Sequence, residues 1–263
     1  MMVPVRTPLT VEPGFRAFVV RMIGAECRAW IATLPAAHGE LATRWQLDLG
    51  PELPGGLLSC VREARRIDGS AAILKIGAPW PRTSDEIAAL RAWGGNGAAL
   101  LLEVDEQLGA LLLERVQPGM YPTSAAAAEV VKVLRALHIP PLAGLETLGA
   151  LARRRIARAL DQGRATGAKA EWALAKVGEL ERDPPPPVLL HGDFDERNLL
   201  TCERRGMCAI DPLPCVGDAA YDAAYWVHGN RRPGRRARLD ALVELGFDRA
   251  RVRDWAAIVG VHG

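Results

Sequence analysis

Residues 188–200 read Val188-Leu-Leu-His191-Gly-Asp193-Phe-Asp-Glu-Arg-Asn198-Leu-Leu200. The apolar run Val188 to Leu190 has the length and composition of a short buried strand, and it delivers His191-Gly192-Asp193 into a polar loop. Asn198 stands five residues after Asp193, and thirteen residues beyond Asn198 a second apolar run, Met207 to Ile210, ends in Asp211. Ahead of the first run, Pro184–Pro187 hold the chain extended, because each proline fixes φ and removes an amide donor. A polar hairpin is the plainest interpretation, with Asp193 and Asn198 serving only the loop backbone. The isolated aspartate after the second run is what a simple hairpin does not need.

An aspartate, an asparagine five positions beyond it and an aspartate closing the next strand repeat the spacing of the protein-kinase catalytic loop, with Gly192 in place of its arginine. Phosphoryl transfer needs a carboxylate to orient the attacking hydroxyl, and hard oxygen ligands for magnesium on the nucleotide phosphates. Asp193 suits the first task; Asn198 and Asp211 suit the second. A metallohydrolase built on His191, Asp193 and Asp211 would need further histidines, and His38, His138, His228 and His262 do not stand at ligand spacing.

A kinase-like site makes demands earlier in the chain. It needs a strand lysine for the α and β phosphates and a helix glutamate to pair with it. Only four of the 33 basic residues are lysines, the other 29 being arginines, and Lys75 is the only lysine among the first 131 residues. It lies in Ala71-Ala-Ile-Leu-Lys75-Ile76, an apolar strand pattern, whereas an indifferent surface position in this chain would carry arginine. Glu86, in a helix predicted over Arg82–Trp93 with Ser84 as its cap, is the expected partner; Asp85 competes, and a first-turn glutamate also simply suits the helix dipole. Gly55, Gly56 and Ser59, between the first two strands, are the candidate phosphate turn, although they do not match G-x-G-x-x-G. The run Leu111 to Val116 leads into a connector, where the backbone of Glu114 to Val116 is placed to meet the adenine edge.

The rest of the chain fits two lobes. With 49% hydrophobic and 24% charged residues the composition is that of a globular protein, and a net charge of +2 excludes a nucleic-acid-binding arm as the main theme. No run of about 18 apolar residues suggests a membrane span, and the five cysteines, odd in number and without C-x-x-C spacing, fit reduced thiols in a cytoplasmic protein. Helices are expected over Pro13–Ile31 and Ala36–Trp45, and strands over 47–49, 57–63, 71–76, 99–104 and 110–115, with Asp68-Gly69 as a hairpin turn. Further helices are expected over 124–137, 145–180, 219–228, 236–245 and 248–259, Asp218 and Asp248 acting as caps. The predicted organisation is a helical extension (1–45), a sheet lobe (46–116) and a helical lobe (117–263).

Together Ala-Ile-Leu-Lys75, Asp85-Glu86-Ile87, Leu-Leu-Leu-Glu114, His191-Gly-Asp193-x4-Asn198 and Ile-Asp211-Pro212 resemble the aminoglycoside phosphotransferase family. The branch they resemble is that of the streptomycin 6-kinases and aminoglycoside/hydroxyurea resistance kinases. The resemblance implies an α+β, bilobal protein-kinase-like fold, with a small antiparallel-sheet N-lobe and a mostly helical C-lobe. It implies ATP as phosphate donor (GTP being the alternative), Mg2+, and a small-molecule acceptor that is a cationic aminocyclitol antibiotic phosphorylated on a hydroxyl. Asp193 is then the base, Asn198 and Asp211 the magnesium ligands, and Lys75 with Glu86 the phosphate anchor. The branch continues beyond Gly263 with helical sequence that closes the acceptor side. Streptomycin carries guanidinium groups, so carboxylates near the loop are expected to receive it. Asp195 and Asp222 are the candidates, within an acidic patch that also takes in Glu196 and Asp218. Hydroxyurea or another small hydroxylated metabolite as acceptor, and a non-catalytic nucleotide-binding role, stand as alternatives.

Overall fold

The computed structural model describes residues 10–53, 58–78, 83–122, 124–229 and 234–262. It divides into two compact units, one formed by residues 1–87 and 100–115, the other by 88–99 and 116–263.

In the first unit, α1 (Pro13–Ile23) and α2 (Cys27–Arg44) precede β1 (Asp48–Glu52), β2 (Ser59–Arg65) and β3 (Ala71–Gly77). After the start of α3 (Thr83–Trp93) come β4 (Leu101–Asp105) and β5 (Ala110–Glu114). The helix break falls at Gly24, whose φ is +121°, rather than at Pro35, which lies inside α2. Glycine tolerates that backbone where other residues do not, whereas a proline within a long, well-buried helix forfeits one hydrogen bond. All paired strands are antiparallel in the order β1-β2-β3-β5-β4. Asp68-Gly69 makes the predicted β2–β3 turn: Gly69 adopts φ +82° and Asp68 Oδ1 accepts from the Ser70 amide at 2.9 Å. Alternation along β3 puts Ala72, Leu74 and Ile76, all at most 1% exposed, into a core with Val19, Ile31, Leu34 and Leu41. Lys75 therefore projects from the other face of the sheet.

The second unit holds α4 (Ala127–Leu137), α5 (Leu148–Asp161) and α6 (Gly167–Leu180), then α7 (Ala220–His228), α8 (Arg235–Glu244) and α9 (Arg249–His262). Between α6 and α7 lie β6 (Val188–Leu190), β7 (Leu199–Cys202), β8 (Gly206–Ala209) and β9 (Cys215–Gly217). The two apolar runs around the polar loop do not pair with each other: β6 pairs with β9, and β7 with β8. Helix α7 is buried on every side from Ala220 to Val227, and Tyr221 meets Trp255 of α9 edge-on at 5.2 Å. Asp248 caps α9 through the Arg251 amide at 2.7 Å, and Asp218 accepts from the Ala220 amide at 2.9 Å. All five cysteines are buried and none forms a disulfide, and no described helix is long and apolar enough to cross a membrane.

His38 of α2 is 1% exposed; its Nδ1–H donates to the Leu34 carbonyl at 2.7 Å, while Nε2 finds no partner among the described residues. Burial outweighs that carbonyl and, with the Arg62 charge, pushes the imidazole down to about 4. The folded pKa lies below the unfolded one, so this stabilising contribution is lost as pH falls from about 6.5 toward 4, by up to about 3 kcal/mol. Urea unfolding at stepped pH is expected to show that decline, and His38→Leu to make it shallower. His262, pushed down to about 3 chiefly by burial, supplies a similar slope in both proteins.

Candidate active site: the aspartate loop and the buried lysine

The loop after β6 hangs on one buried carboxylate. Asp222 of α7 is 0% exposed; Oδ2 accepts the His191 amide at 2.8 Å and His138 Nε2 at 3.1 Å, and Oδ1 accepts the Gly192 amide at 2.9 Å. Burial opposes ionisation here, but His138, His191 and the amide donors outweigh it and hold the carboxyl below its usual range. Gly192 takes φ +76°, and a Cβ on it would stand 2.0 Å from the Leu213 carbonyl oxygen, so no larger residue fits. His191 is wholly buried, stacked on Trp93 at 6.3 Å and edge-on to Phe194 at 5.7 Å. Its Nε2 lies 3.0 Å from the Ile210 carbonyl, which fixes Nε2–H and leaves Nδ1 to face the Asp193 amide at 3.4 Å. Burial keeps this imidazole neutral by lowering its pKa.

Asp193 emerges from this scaffold about one-third exposed. Asn198 ends the 3₁₀ turn Glu196–Asn198; its Nδ2 donates to the Asp193 carbonyl at 2.8 Å and to Asp193 Oδ2 at 3.1 Å. Both neighbours are oxygens, so the amide nitrogen must face them, and Asn198 Oδ1 is left without a donor among the described residues. Asp211, exposed at the end of β8, has φ +55°, a conformation a non-glycine residue holds at a cost of order 1–3 kcal/mol. An amide oxygen and a carboxylate are hard donors, the kind that would suit a hard divalent cation. No cluster of three or more His, Cys, Asp or Glu ligands occurs among the described residues.

In the first unit, Lys75 and Glu86 are 6% and 8% exposed, and the ammonium meets both carboxylate oxygens, at 2.7 and 2.9 Å. Asp85, the competing candidate, is half-buried. Ser59 opens β2 opposite Gly77, whereas Gly55 and Gly56 lie outside the described residues. Glu114 uses its amide on the Leu100 carbonyl at 2.9 Å and its carboxylate on the Leu100 amide at 2.8 Å. The Arg115 amide is bound to Ala71, while the amide of Val116, a buried residue, makes no hydrogen bond among the described residues.

The expected acidic patch is not there. Asp222 is sealed beneath the loop and cannot touch an acceptor. Asp195 accepts from the Arg197 amide at 2.9 Å and from Arg197 Nε at 2.8 Å. Glu196 is buried against Arg238, itself 1% exposed. Asp218 accepts from Arg251 Nε at 2.7 Å and Trp255 Nε1 at 2.8 Å. Asp195, Glu196 and Asp218 are each met by an arginine, from the loop itself, α8 and α9 in turn, whereas Asp222 is met by His138 and two amides.

One residue that grips the loop escaped the sequence reading. Arg155 of α5 donates Nη2 to Asp193 Oδ1 at 3.1 Å and Nη1 to the Gly192 carbonyl at 2.9 Å. A signal existed: Arg155 falls on the apolar stripe Leu148, Leu151, Ala152, Ile156, Ala159, where an arginine needs a buried partner.

A neutral histidine, a clasped aspartate, an outward amide oxygen and a buried lysine–glutamate pair define a protein-kinase-like phosphotransferase, an enzyme acting on a hydroxyl, in the bilobal α+β fold. The chain belongs to the aminoglycoside/hydroxyurea antibiotic resistance kinase family, which residues 44–263 match. It is 35% identical to the streptomycin 6-kinase of Streptomyces griseus over 93% of this chain and 86% of that protein. It is 33% identical to the hydroxyurea phosphotransferase of Kitasatospora aureofaciens, over 90% of this chain and 74% of that one. A choline kinase from Streptococcus pneumoniae shares the fold, with a TM-score of 0.62 at 12% identity over 85% of each chain.

Asp222→Ala strands two buried amide donors and is expected to cost about 2–6 kcal/mol of stability, read by urea unfolding. Asp195→Ala, which removes a partly exposed pair, is expected to cost less than about 1 kcal/mol.

Proposed function

We propose that this chain transfers the γ-phosphoryl group of ATP to a hydroxyl of a streptomycin-type aminocyclitol, acting in the cytoplasm. The observation that carries the proposal is the clasp of Asn198 on Asp193, which fixes the carboxylate while turning the amide oxygen outward. Asp193 accepts the hydroxyl proton as that oxygen bonds to the γ-phosphorus. The bond from phosphorus to the β-phosphate oxygen breaks, and ADP leaves. Lys75, oriented by Glu86, neutralises the α and β phosphates, and the Val116 amide donates to the adenine edge. Asn198 and Asp211 would hold magnesium, which when bound would neutralise charge on the phosphates. Ser59 opens the strand that follows the phosphate turn, where Gly55 and Gly56 would contribute their amides.

A second reading, hydroxyurea as acceptor, is favoured by one feature. Asp195, Glu196 and Asp218 beside the loop are each paired with an arginine, and a groove of about 380 Å³ on the helical unit is lined by Lys169, Trp172, His228, Arg235 and small residues of α9. Neither offers free negative charge to a guanidinium, and a small neutral acceptor needs none.

Purified protein incubated with ATP and magnesium is expected to phosphorylate streptomycin, with the new phosphate ester seen by 31P NMR. Turnover of hydroxyurea alone would move the assignment to the second reading, and turnover of neither would remove both. Asp193→Asn is expected to lower kcat by about 10²–10⁴-fold while ATP still binds. Lys75→Met is expected to weaken ATP binding as well as turnover. Competition between ATP and GTP reads the nucleotide preference.

A further inference from the structure

Arg155 sits where a charged side chain is costly. It lies on the apolar stripe of α5 with its side chain 15% exposed, and its guanidinium stands over the Tyr225 ring at 5.3 Å. Nη1 faces three oxygens: the Gly192 carbonyl at 2.9 Å, Tyr221 Oη at 3.0 Å and Tyr225 Oη. With two protons for three acceptors, one of these bonds is shared. Nη2 reaches Asp193 Oδ1 at 3.1 Å. The two nitrogens of one rigid, planar fork thus grip both the peptide before Asp193 and its carboxylate. Asn198 grips the other carboxylate oxygen, so each oxygen already has a donor and keeps lone-pair capacity for one more.

We infer that Arg155 is a positioning residue for the phosphotransfer: it locks the rotation of the Asp193 carboxylate relative to its own backbone. The inference rests on the proposed role of Asp193. A loose phosphoryl-transfer transition state asks little basicity of the aspartate and much of its direction, and a carboxylate pinned at both oxygens supplies direction. The Gly192 carbonyl, Tyr221 and Tyr225 occupy Nη1 alone, so the pairing of Nη2 is a separate contact. The fourth contact points at the one side chain of the loop that the chemistry needs.

The test compares Arg155→Met and Arg155→Lys with Arg158→Ala, an exposed arginine on the same helix. Arg155→Met is expected to lower kcat about a hundredfold with KM for ATP little changed. Arg155→Lys, which keeps the charge but not the fork, is expected to fall between, and Arg158→Ala to match the wild type. Arg155→Ala is expected to regain part of its kcat when methylguanidinium is added. Circular dichroism and thermal melts check folding, and if the methionine variant does not fold, the lysine variant and the guanidinium rescue carry the comparison. Wild-type kcat in Arg155→Lys, or an equal rise of KM for ATP with no change in kcat, would overturn the inference while Asp193→Asn still reports on the proposed reaction. If the wild type phosphorylates no acceptor, the readout becomes the 13C carboxyl resonance of Asp193, assigned by its loss in Asp193→Asn. That resonance is expected to shift or broaden in Arg155→Lys and not in Arg158→Ala; an unchanged resonance refutes the positioning role.

Discussion

Asp222 is the interaction on which the helical unit's site depends. A carboxylate removed from water must find donors, and this one takes the amides of His191 and Gly192 and the imidazole of His138. Those bonds set the backbone that aims Asp193 outward and leave Gly192 in a conformation only glycine fits. From there the order spreads by contact: His191 packs on Trp93 and Phe194, Leu213 returns its amide to the His191 carbonyl at 2.8 Å, and Ile210 closes onto Asn198 at 2.9 Å. Asp211 is thereby delivered beside the loop although β8 and β6 lie in different sheets.

Much of this was legible because it is local. The spacing of Asp193, Asn198 and Asp211 follows from short strands and one tight loop, and Lys75 stood out through strand alternation and the scarcity of lysine. The choice of Glu86 over Asp85 needed the start of α3 at Thr83, which decides which side chain faces β3. Asp222 was misread as an acceptor contact because its burial depends on helices far away in sequence. The warning was present, since Ala-Tyr-Asp-Ala-Ala-Tyr-Trp-Val is apolar all round and an aspartate in such a helix is buried. Arg155 was invisible for a similar reason: its partner lies 38 residues on, and no spacing rule joins them.

The near-zero net charge conceals local pairing rather than an acidic patch. Arg197, Arg238 and Arg251 each meet a carboxylate of the segment from Asp195 to Asp218. Breaking one of the buried pairs leaves an uncompensated charge, so these arginines are better understood as structural counter-ions than as a surface for ligands. Specificity for a cationic acceptor would then come from groups other than the carboxylates nearest the base.

The preference for arginine has a covalent corollary. Guanidinium groups keep their protons throughout the accessible pH range and do not act as nucleophiles, whereas a lysine that loses its proton becomes an amine that attacks acyl and carbonyl carbons. Apart from the α-amino group of Met1, the first 131 residues contain a single such amine, that of Lys75. An electrophile borne on a nucleotide would therefore find one side-chain amine to acylate in that half of the chain. The same substitution pattern that spreads permanent charge over the surface confines amine reactivity to the residue that faces Glu86.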